Sequence, residues 1–462
     1  RAGLLWARSP LVYSPVAMDF DAQGRLWVTE GIDYNQGLRV QAGRSIMVVE
    51  DKDGDGKADH SHPFVTEKDI RHAPLGIAVF DNRIVLSATP SIIVYTDVDR
   101  NTVFDPKIDK REVFLTGFQN KNHDHTVHAV VGAPSGQWHF SFGNCGADIK
   151  TKDGRHFLSG CYYGYPEAIG KKSSDGEVYV GGMTMRINPD GTGLTPTGEN
   201  MRNPHDMFVT SHGDVLQSDN DDPAHSRLSW VMEHANMGYA DLNDGSRSWE
   251  EVAKTWEEPS GWNKSLRFSR SHWRENYPGA FPPGSIYGAG SPTGNLFIES
   301  DALGLAGTYL VCCMVRKEIM ACSPKLVDAQ IEMGTPHPFV GLKASEKRQR
   351  FLPTDVALAP DGSLFFSDFY NDTSRRTNQV SGSIYRITRK NGTKLTLPKI
   401  DFSTTPGLLN ALKNPAVNVR SHAAAQLVGK GEGATGQVLA FLREHDETRC
   451  INKLHRIVFR GA

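Results

Sequence analysis

Six stretches of the chain share one pattern: an apolar run, a turn rich in Gly, Asn or Asp, then a second apolar or aromatic run. Five are clear: VAMDFDAQGRLWVTE (16–30), LGIAVFDNRIVLSA (75–88), VHAVVGAPSGQWHFSFGN (127–144), HDMFVTSHGDVLQSDN (205–220) and TDVALAPDGSLFFSD (354–368). The sixth, SPTGNLFIES (291–300), is degenerate. Each reads as a β-hairpin. Their spacing leaves room for the four strands of a propeller blade plus a long loop. The pattern therefore predicts an all-β fold, a six-bladed β-propeller over residues 1–400.

GSIYRITRKNGT (382–393) reads as an outer strand and turn that end the propeller, and the polar linker LPKIDFSTTP follows. The apolar period then changes. Leu408, Leu409 and Leu412, then Val419, Ala423 and Leu427, recur at helical intervals on either side of Asn414-Pro415. The two short helices this predicts resemble a HEAT-type repeat, and ATGQVLAFLREHDETRCINKLHRI (434–457) resembles the next. One or two such repeats cannot bury a solenoid core. Residues 401–462 are expected to pack on the propeller or to continue in a longer chain.

Charge narrows the partners. The chain has 53 acidic and 51 basic residues and no long single-sign run, so nothing points to nucleic acid. No apolar stretch is long enough to span a membrane. The chain begins at Arg1, which is compatible with removal of an upstream leader. The cysteines (Cys145, Cys161, Cys312, Cys313, Cys322, Cys450) form no CxxC or CxxCH, which excludes c-type haem attachment within these residues and argues against a zinc knuckle. Cys145 and Cys161 flank a loop where a disulfide or two buried thiols would fit, and Cys312-Cys313 read as core residues of an apolar strand.

The most specific local motif is DKDGDGKAD. Asp51, Asp53, Asp55 and Asp59 stand at positions 1, 3, 5 and 9 of a calcium loop, with Gly56 at the sharp turn and the Lys57 carbonyl at position 7. Alternate hard oxygen ligands let the chain wrap the ion while every second side chain points inward. His62 stands where an EF-hand has its bidentate Glu. TDVDRNTVFD repeats the spacing one blade later with Asp97, Asp99, Asn101, the Val103 carbonyl and Asp105, but Thr102 replaces the turn glycine. The expected role is structural, against the alternative of acidic hairpins without metal.

In a propeller, the loops entering the innermost strands converge on the axis. The candidates at those entries are His72, His125, Arg202, Asn203, His205 and the Leu352–Thr354 loop. The residues ending each second strand, Glu30, Asn144, Asp219, Asn220 and Asp368, are expected lower in the same funnel. His123 and His125, on an extended segment, would face one way and His128 the other, leaving a transition-metal chelate open as an alternative. Trp27 and Trp138 read as core, and Trp262 as a candidate lid over the funnel.

SPVAMDFDAQGRLWVTE, VVEDKDGDGKAD, VFLTGF, ALAPDGSLFFSDFYN and GSIYRI resemble the membrane-bound dehydrogenase family of planctomycetes and verrucomicrobia, in which a propeller precedes HEAT repeats and often a cytochrome c domain. More distantly the chain is similar to soluble glucose and sorbosone dehydrogenases, six-bladed, calcium-containing quinoproteins that use pyrroloquinoline quinone. In that wider group a histidine ahead of a Pro-(Asp/Ser)-Gly turn is the base, the place His125 holds relative to Pro134. The quinone-contacting RNP motif appears as Arg202-Asn203-Pro204. The chain departs from the pattern at Leu352 and Thr354, where the quinoproteins carry two arginines that pair with the carboxylates of the quinone. Arg316 and Lys317 are candidates for a lysine-type contact.

The resemblance implies a periplasmic or secreted oxidoreductase acting on a sugar or polyol, with calcium, His125 as base and a cytochrome c as electron acceptor. The same funnel would also suit a carbohydrate lyase or hydrolase, with His72, His205 and Glu30 as partners, or a propeller that binds glycan or protein without turnover.

Overall fold

The structure, a computed structural model, describes residues 2–31, 44–70, 72–220, 226–242, 245, 284–342, 351–369, 382–389 and 395–444. Trp262, Cys450 and the second expected helical repeat beyond Glu444 lie outside these residues.

Short β-branched and aromatic runs separated by Gly, Asn and Asp turns build six main sheets of four or five strands. Sheet I contains Pro15–Phe20, Leu26–Glu30, Arg44–Glu50 and His60–Glu67. Sheet II contains Gly76–Phe80, Arg83–Ala88, Ser91–Thr96 and Lys110–Thr116. Sheet III contains Val127–Gly132, Trp138–Phe142, Gly182–Ile187, Thr195–Met201 and a short parallel addition, Ala235–Asn236. Sheet IV contains Pro204–Val209, Val215–Asp219, Ser226–Val231 and Ser285–Gly288. Sheet V contains Pro292–Ile298, Thr308–Cys313, Glu318–Cys322 and His337–Gly341. Sheet VI contains Pro353–Leu358, Leu364–Asp368, Ser383–Thr388 and, from the other end of the chain, Ala2–Arg8.

The first strand of each sheet touches the first strand of the next, and that of sheet VI returns to that of sheet I. A ring of sheets closed in this way is a β-propeller. In five sheets the register slips by one residue just after the first pair, as in Pro15↔Glu30 followed by Met18↔Val28. Such a bulge bends the strand where it enters the ring.

Two sequence expectations need correction. The strand in GSIYRITRKNGT is the third of its sheet, because Ala2–Arg8 pairs outside it, with Ala2 opposite Thr388. The copy at 291–300 looks degenerate because it holds one strand only, and the second begins at Thr308 after a longer turn. Trp27 and Trp138 are core, and Trp138 stacks on Phe80. All five described cysteines are buried free thiols, so Cys145 and Cys161 form no disulfide.

Three helices follow: α1 (Thr405–Ala411), α2 (Val417–Gly429) and α3 (Glu432–Glu444). Thr404 caps α1 by accepting from the Gly407 N–H at 3.1 Å. Leu408, Leu409, Val419, Ala423 and Leu427 form their shared core with Val438. The helices lie across the first hairpin turns. Arg420 pairs with Glu299 at 2.5 Å, and the Asn414 amide donates to the Pro360 carbonyl at 3.3 Å. Asn418 reaches the axis, where its amide donates to the carbonyls of Phe20 and, at 2.8 Å, Val79. The end of the axis beside these turns is therefore covered. No described helix is long and apolar enough to cross a membrane.

Candidate functional site

At the other end of the axis, where the first strands begin, the loops surround a cavity of about 490 Å³. Its wall includes Val16, Gly31, Ala73, Leu75, Asp124, His125, Asn203, His205, Asn220, Thr293, Leu352 and Thr354, contributions from every sheet. Ring closure thus brings together residues hundreds of positions apart.

Asn122 accepts the Asp124 N–H at 3.1 Å and winds His123–His125 into a single 3-10 turn. The extended segment that would have paired His123 with His125 as a chelate is therefore absent. His125 is 7% exposed and stacks on Tyr163. Its Nδ1 lies 2.6 Å from Asn144 Oδ1, and the Asn144 amide donates to the Tyr239 hydroxyl at 3.2 Å, which pairs with Tyr162. Because Asn144 presents its carbonyl oxygen, Nδ1 carries a proton, and in the neutral ring the lone pair is then on Nε2. Gly143 makes this possible: a Cβ there would stand 2.6 Å from Asn203 Oδ1 and 2.7 Å from the His125 carbonyl oxygen.

Asn203 lines the cavity, and its buried Oδ1 has no hydrogen-bond partner. Its backbone N–H donates to Asp219 Oδ1 at 2.7 Å. The same device recurs: Glu30 accepts from the Tyr13 N–H at 2.8 Å and Asp368 from the Leu352 N–H at 2.9 Å. These three carboxylates are thus loop braces rather than cavity ligands, because each second strand ends beside the loop that enters its own sheet. Asp219 is also held by Arg227 at 3.3 Å.

The other candidates separate. Asn220 is on the wall, and Arg202 stands behind it, donating to the Asn220 carbonyl at 3.0 Å. Ala73 and Leu75, not His72, contribute the wall from sheet II. Arg316 and Lys317 sit on an exposed turn, where Arg316 pairs with Glu318 at 2.7 Å, and Met314 reaches the cavity instead.

His128 belongs to the strand below. It is fully buried, with Nδ1 3.1 Å from the Pro204 carbonyl oxygen and its ring 4.6 Å from that of His205. Burial pushes His205 down to about 4 and His128 well below the usual histidine range, so both are neutral near pH 7. His205 separates the mouth from a smaller axial cavity of about 90 Å³ that sequence reasoning missed. Asp19, Asp206 and Asp355 line it, each accepting from its own sheet and the next: Phe20 and Val79, Met207 and Asn295, Val356 and Met18. Burial raises Asp19 to about 8 and Asp355 to about 7, and raises Asp206 as well, with Asp355 adding repulsion to the other two. An aspartate recurring in VAMDF, HDMFV and TDVAL was the available signal.

The two acidic loops join the third and fourth strands of sheets I and II and share one backbone. Gly54 and Gly56, and likewise Arg100 and Thr102, have left-handed φ of +75°, +96°, +60° and +63°. Asp51 Oδ2 accepts from Gly56 at 2.9 Å, as Asp97 Oδ2 does from Thr102 at 3.0 Å. Thr102 thus adopts the turn without glycine, at a cost of order 1 kcal/mol. Carboxylate oxygens of Asp51, Asp53 and Asp55 lie within 4.8 Å of one another, as do those of Asp97, Asp99 and Asp109. Asp109, not the expected Asp105, completes the second group. Asp105 instead holds an inserted turn, accepting from Lys107 at 2.9 Å, and Asp109 repeats the hydrogen bond of Asp59 to the second loop position. Asp59 lies outside the first trio. Asn101 accepts from Val103 as Asp55 does from Lys57, keeping both loop paths alike. Asp97 is 3% exposed and its Oδ1 has no hydrogen-bond partner, and a hard oxygen of this kind suits calcium.

Among the described residues the cavity wall holds no lysine or arginine, and Asp124 adds a carboxylate. Pyrroloquinoline quinone is a tricarboxylate whose oxygens pair with cations, and none of the described wall residues supplies one.

Known structures share the fold at low identity. The pyrroloquinoline quinone-bound aldose sugar dehydrogenase of Streptomyces coelicolor is 14% identical with a TM-score of 0.52, over 83% of this chain and 97% of that one. The soluble aldose sugar dehydrogenase of Escherichia coli in its apo form is 13% identical with a TM-score of 0.51, over 83% and 98%. A calcium structure of a Trichoderma reesei carbohydrate-active enzyme of family AA12 is 12% identical with a TM-score of 0.53, over 83% and 95%. No curated protein matches by sequence. A family model described as a domain of unknown function, DUF7133, matches residues 4–391, and the chain belongs to that family.

Proposed function

We propose that the protein is a sugar or polyol oxidoreductase acting outside the cytoplasm, with the cavity at the open end of the axis as its active site. The observation that supports this most is the His125–Asn144 pair at 2.6 Å. It fixes the tautomer and leaves Nε2 as the nitrogen that takes the hydroxyl proton. As that proton moves to His125, the C–H bond breaks and its hydride passes to a two-electron acceptor in the same cavity. Asn203 Oδ1 accepts from a second sugar hydroxyl, while Asp219 and Arg202 hold Asn203 and Asn220 in place. The sugar dehydrogenases that share the fold support the substrate class. No step here is assigned to pyrroloquinoline quinone.

The six sheets are read as the six blades of a propeller spanning residues 1–400, and α1 to α3 as the start of HEAT-type repeats in 401–462. The acidic loops are read as calcium sites, the second ligated by Asp97, Asp99, Asn101, the Val103 carbonyl and Asp109. A cytochrome c is the proposed electron partner, and the periplasm or the extracellular space the proposed location.

The test is dye reduction by the calcium-loaded chain over a panel of aldoses and polyols, with and without added quinone. Reduction that depends on His125 is the expected result. An unsaturated sugar product, or glycan retention without turnover, would replace this reading with an elimination or a binding function.

A further inference from the structure

The outer hairpin of sheet I carries a group of side chains that neither the cavity nor the calcium loops use. Glu50 is paired directly with His60 across the two strands, and Val48 with His62. Side chains two apart on a strand share a face, so Glu50, His60 and His62 project together. One carboxylate oxygen and one nitrogen from each ring lie within 4.8 Å of one another.

The chemistry of His62 is fixed by its neighbours. Its Nε2 lies 2.9 Å from Thr102 Oγ1 and 3.1 Å from the Thr102 carbonyl oxygen. Thr102 Oγ1 spends its own proton on the Asn101 carbonyl at 2.6 Å, so both Thr102 atoms act as acceptors and Nε2 must be the donor. The lone pair is therefore on Nδ1, which is buried and has no hydrogen-bond partner. A ring whose far N–H is tied to a carbonyl while its other nitrogen stands unmatched is the arrangement that orients metal-ligating histidines. Lys52, 3.5 Å from Glu50, is about half exposed, with a side chain long enough to leave for solvent.

We propose that Glu50, His60 and His62 bind a divalent transition ion of the zinc class. Two imidazoles and one carboxylate suit such an ion, whereas calcium takes oxygen ligands almost alone. The site would sit beside the first calcium loop yet select a different metal. Bound there, the ion would clamp the last residue of the strand Arg44–Glu50 to the first residues of the strand His60–Glu67.

The test uses the full chain, stripped of metal and reloaded with calcium, then titrated with Zn²⁺ by calorimetry and equilibrium dialysis. The wild-type chain should take up a Zn²⁺ equivalent that His60→Ala and Glu50→Gln bind at least about tenfold more weakly. Calcium affinity in His60→Ala should be unchanged, and His60→Gln provides the milder replacement if the alanine variant folds poorly. Support requires that weakening with calcium binding intact. Equal Zn²⁺ binding by wild type and variants, or a loss that falls on calcium instead, overturns the proposal.

Discussion

The two ends of the ring axis are built from the same strands and are opposites in character. Where the first strands begin, the entry loops stand apart and leave about 490 Å³ edged with His125, Asn203 and Asn220. Where they end, tight hairpin turns draw together and Asn418 closes the axis by donating to Phe20 and Val79. Between the ends lies the 90 Å³ carboxylate cavity. The difference follows from loop length: outside sheet V, whose first turn is longer, the turns at this end are two to five residues and have no slack to form a pocket, whereas a connection between sheets does. One end can therefore vary in chemistry while the other is fixed by packing.

The sharpest way to break this contrast is to remove the proposed base. His125→Ala should lower any turnover by about 10²–10⁴-fold, read as initial rates of dye reduction, with the unfolding temperature unchanged. Gly143→Ala strikes the same end through the backbone. Its methyl would meet Asn203 and the His125 carbonyl, so a rate loss of about 10²-fold is expected, with about 1–3 kcal/mol of destabilisation in urea unfolding. Calcium removal should spare both ends. Chelation is expected to lower stability by about 3 kcal/mol for each loop that held calcium at a hundredfold its Kd, and Asp97→Asn should abolish the part owed to the second loop, both read by calorimetry.

At the closed end, Asn418→Ala strands two buried carbonyls and should cost about 1–3 kcal/mol in chemical unfolding while leaving kcat unchanged. The axis between the ends is read through pH. Asp19 and Asp355, raised to about 8 and about 7, hold protons that the unfolded chain releases near 3.8. Their contribution should therefore fall as pH rises from about 4, through about 7 for Asp355 and about 8 for Asp19, and Asp19→Asn should flatten that fall, read by urea unfolding across pH. His205, depressed to about 4, works in the other direction: stability drops as pH falls from 6.5 towards 4.

The hairpins were legible in the sequence because both of their signals are local, a short apolar alternation and a turn residue. The outer strand of sheet VI was not, since its pairing joins Ala2 to Thr388 and no local pattern records it. The cavity shows the same division. His125 could be placed on the axis from the repeat alone, but Asn144 was expected lower in the funnel rather than as its hydrogen-bond partner. Asp219, Glu30 and Asp368 were found by position, yet their role depends on backbone N–H groups whose direction is set by loop geometry. Asp105 was chosen by counting from Asp97, and the inserted turn at 105–108 puts Asp109, not Asp105, beside Asp97 and Asp99. Asp19, Asp206 and Asp355 were written in the repeats, but a carboxylate facing a ring axis looks like any polar position until the ring is closed.

The pairing of Ala2–Arg8 with Ser383–Thr388 also sets the order of events during synthesis. Ala2–Arg8 is made long before Ser383–Thr388, so it waits for its partner while five sheets and most of a sixth are made. Its hydrogen-bonding edge is open to other chains throughout that interval. Closing a loop of that length is entropically slow, and the ring has no latch until it happens. Ring closure therefore rests on the strand Ala2–Arg8, and a chain clipped within it would keep His125, Asn144 and Asn203 while losing the clasp that holds them in a circle.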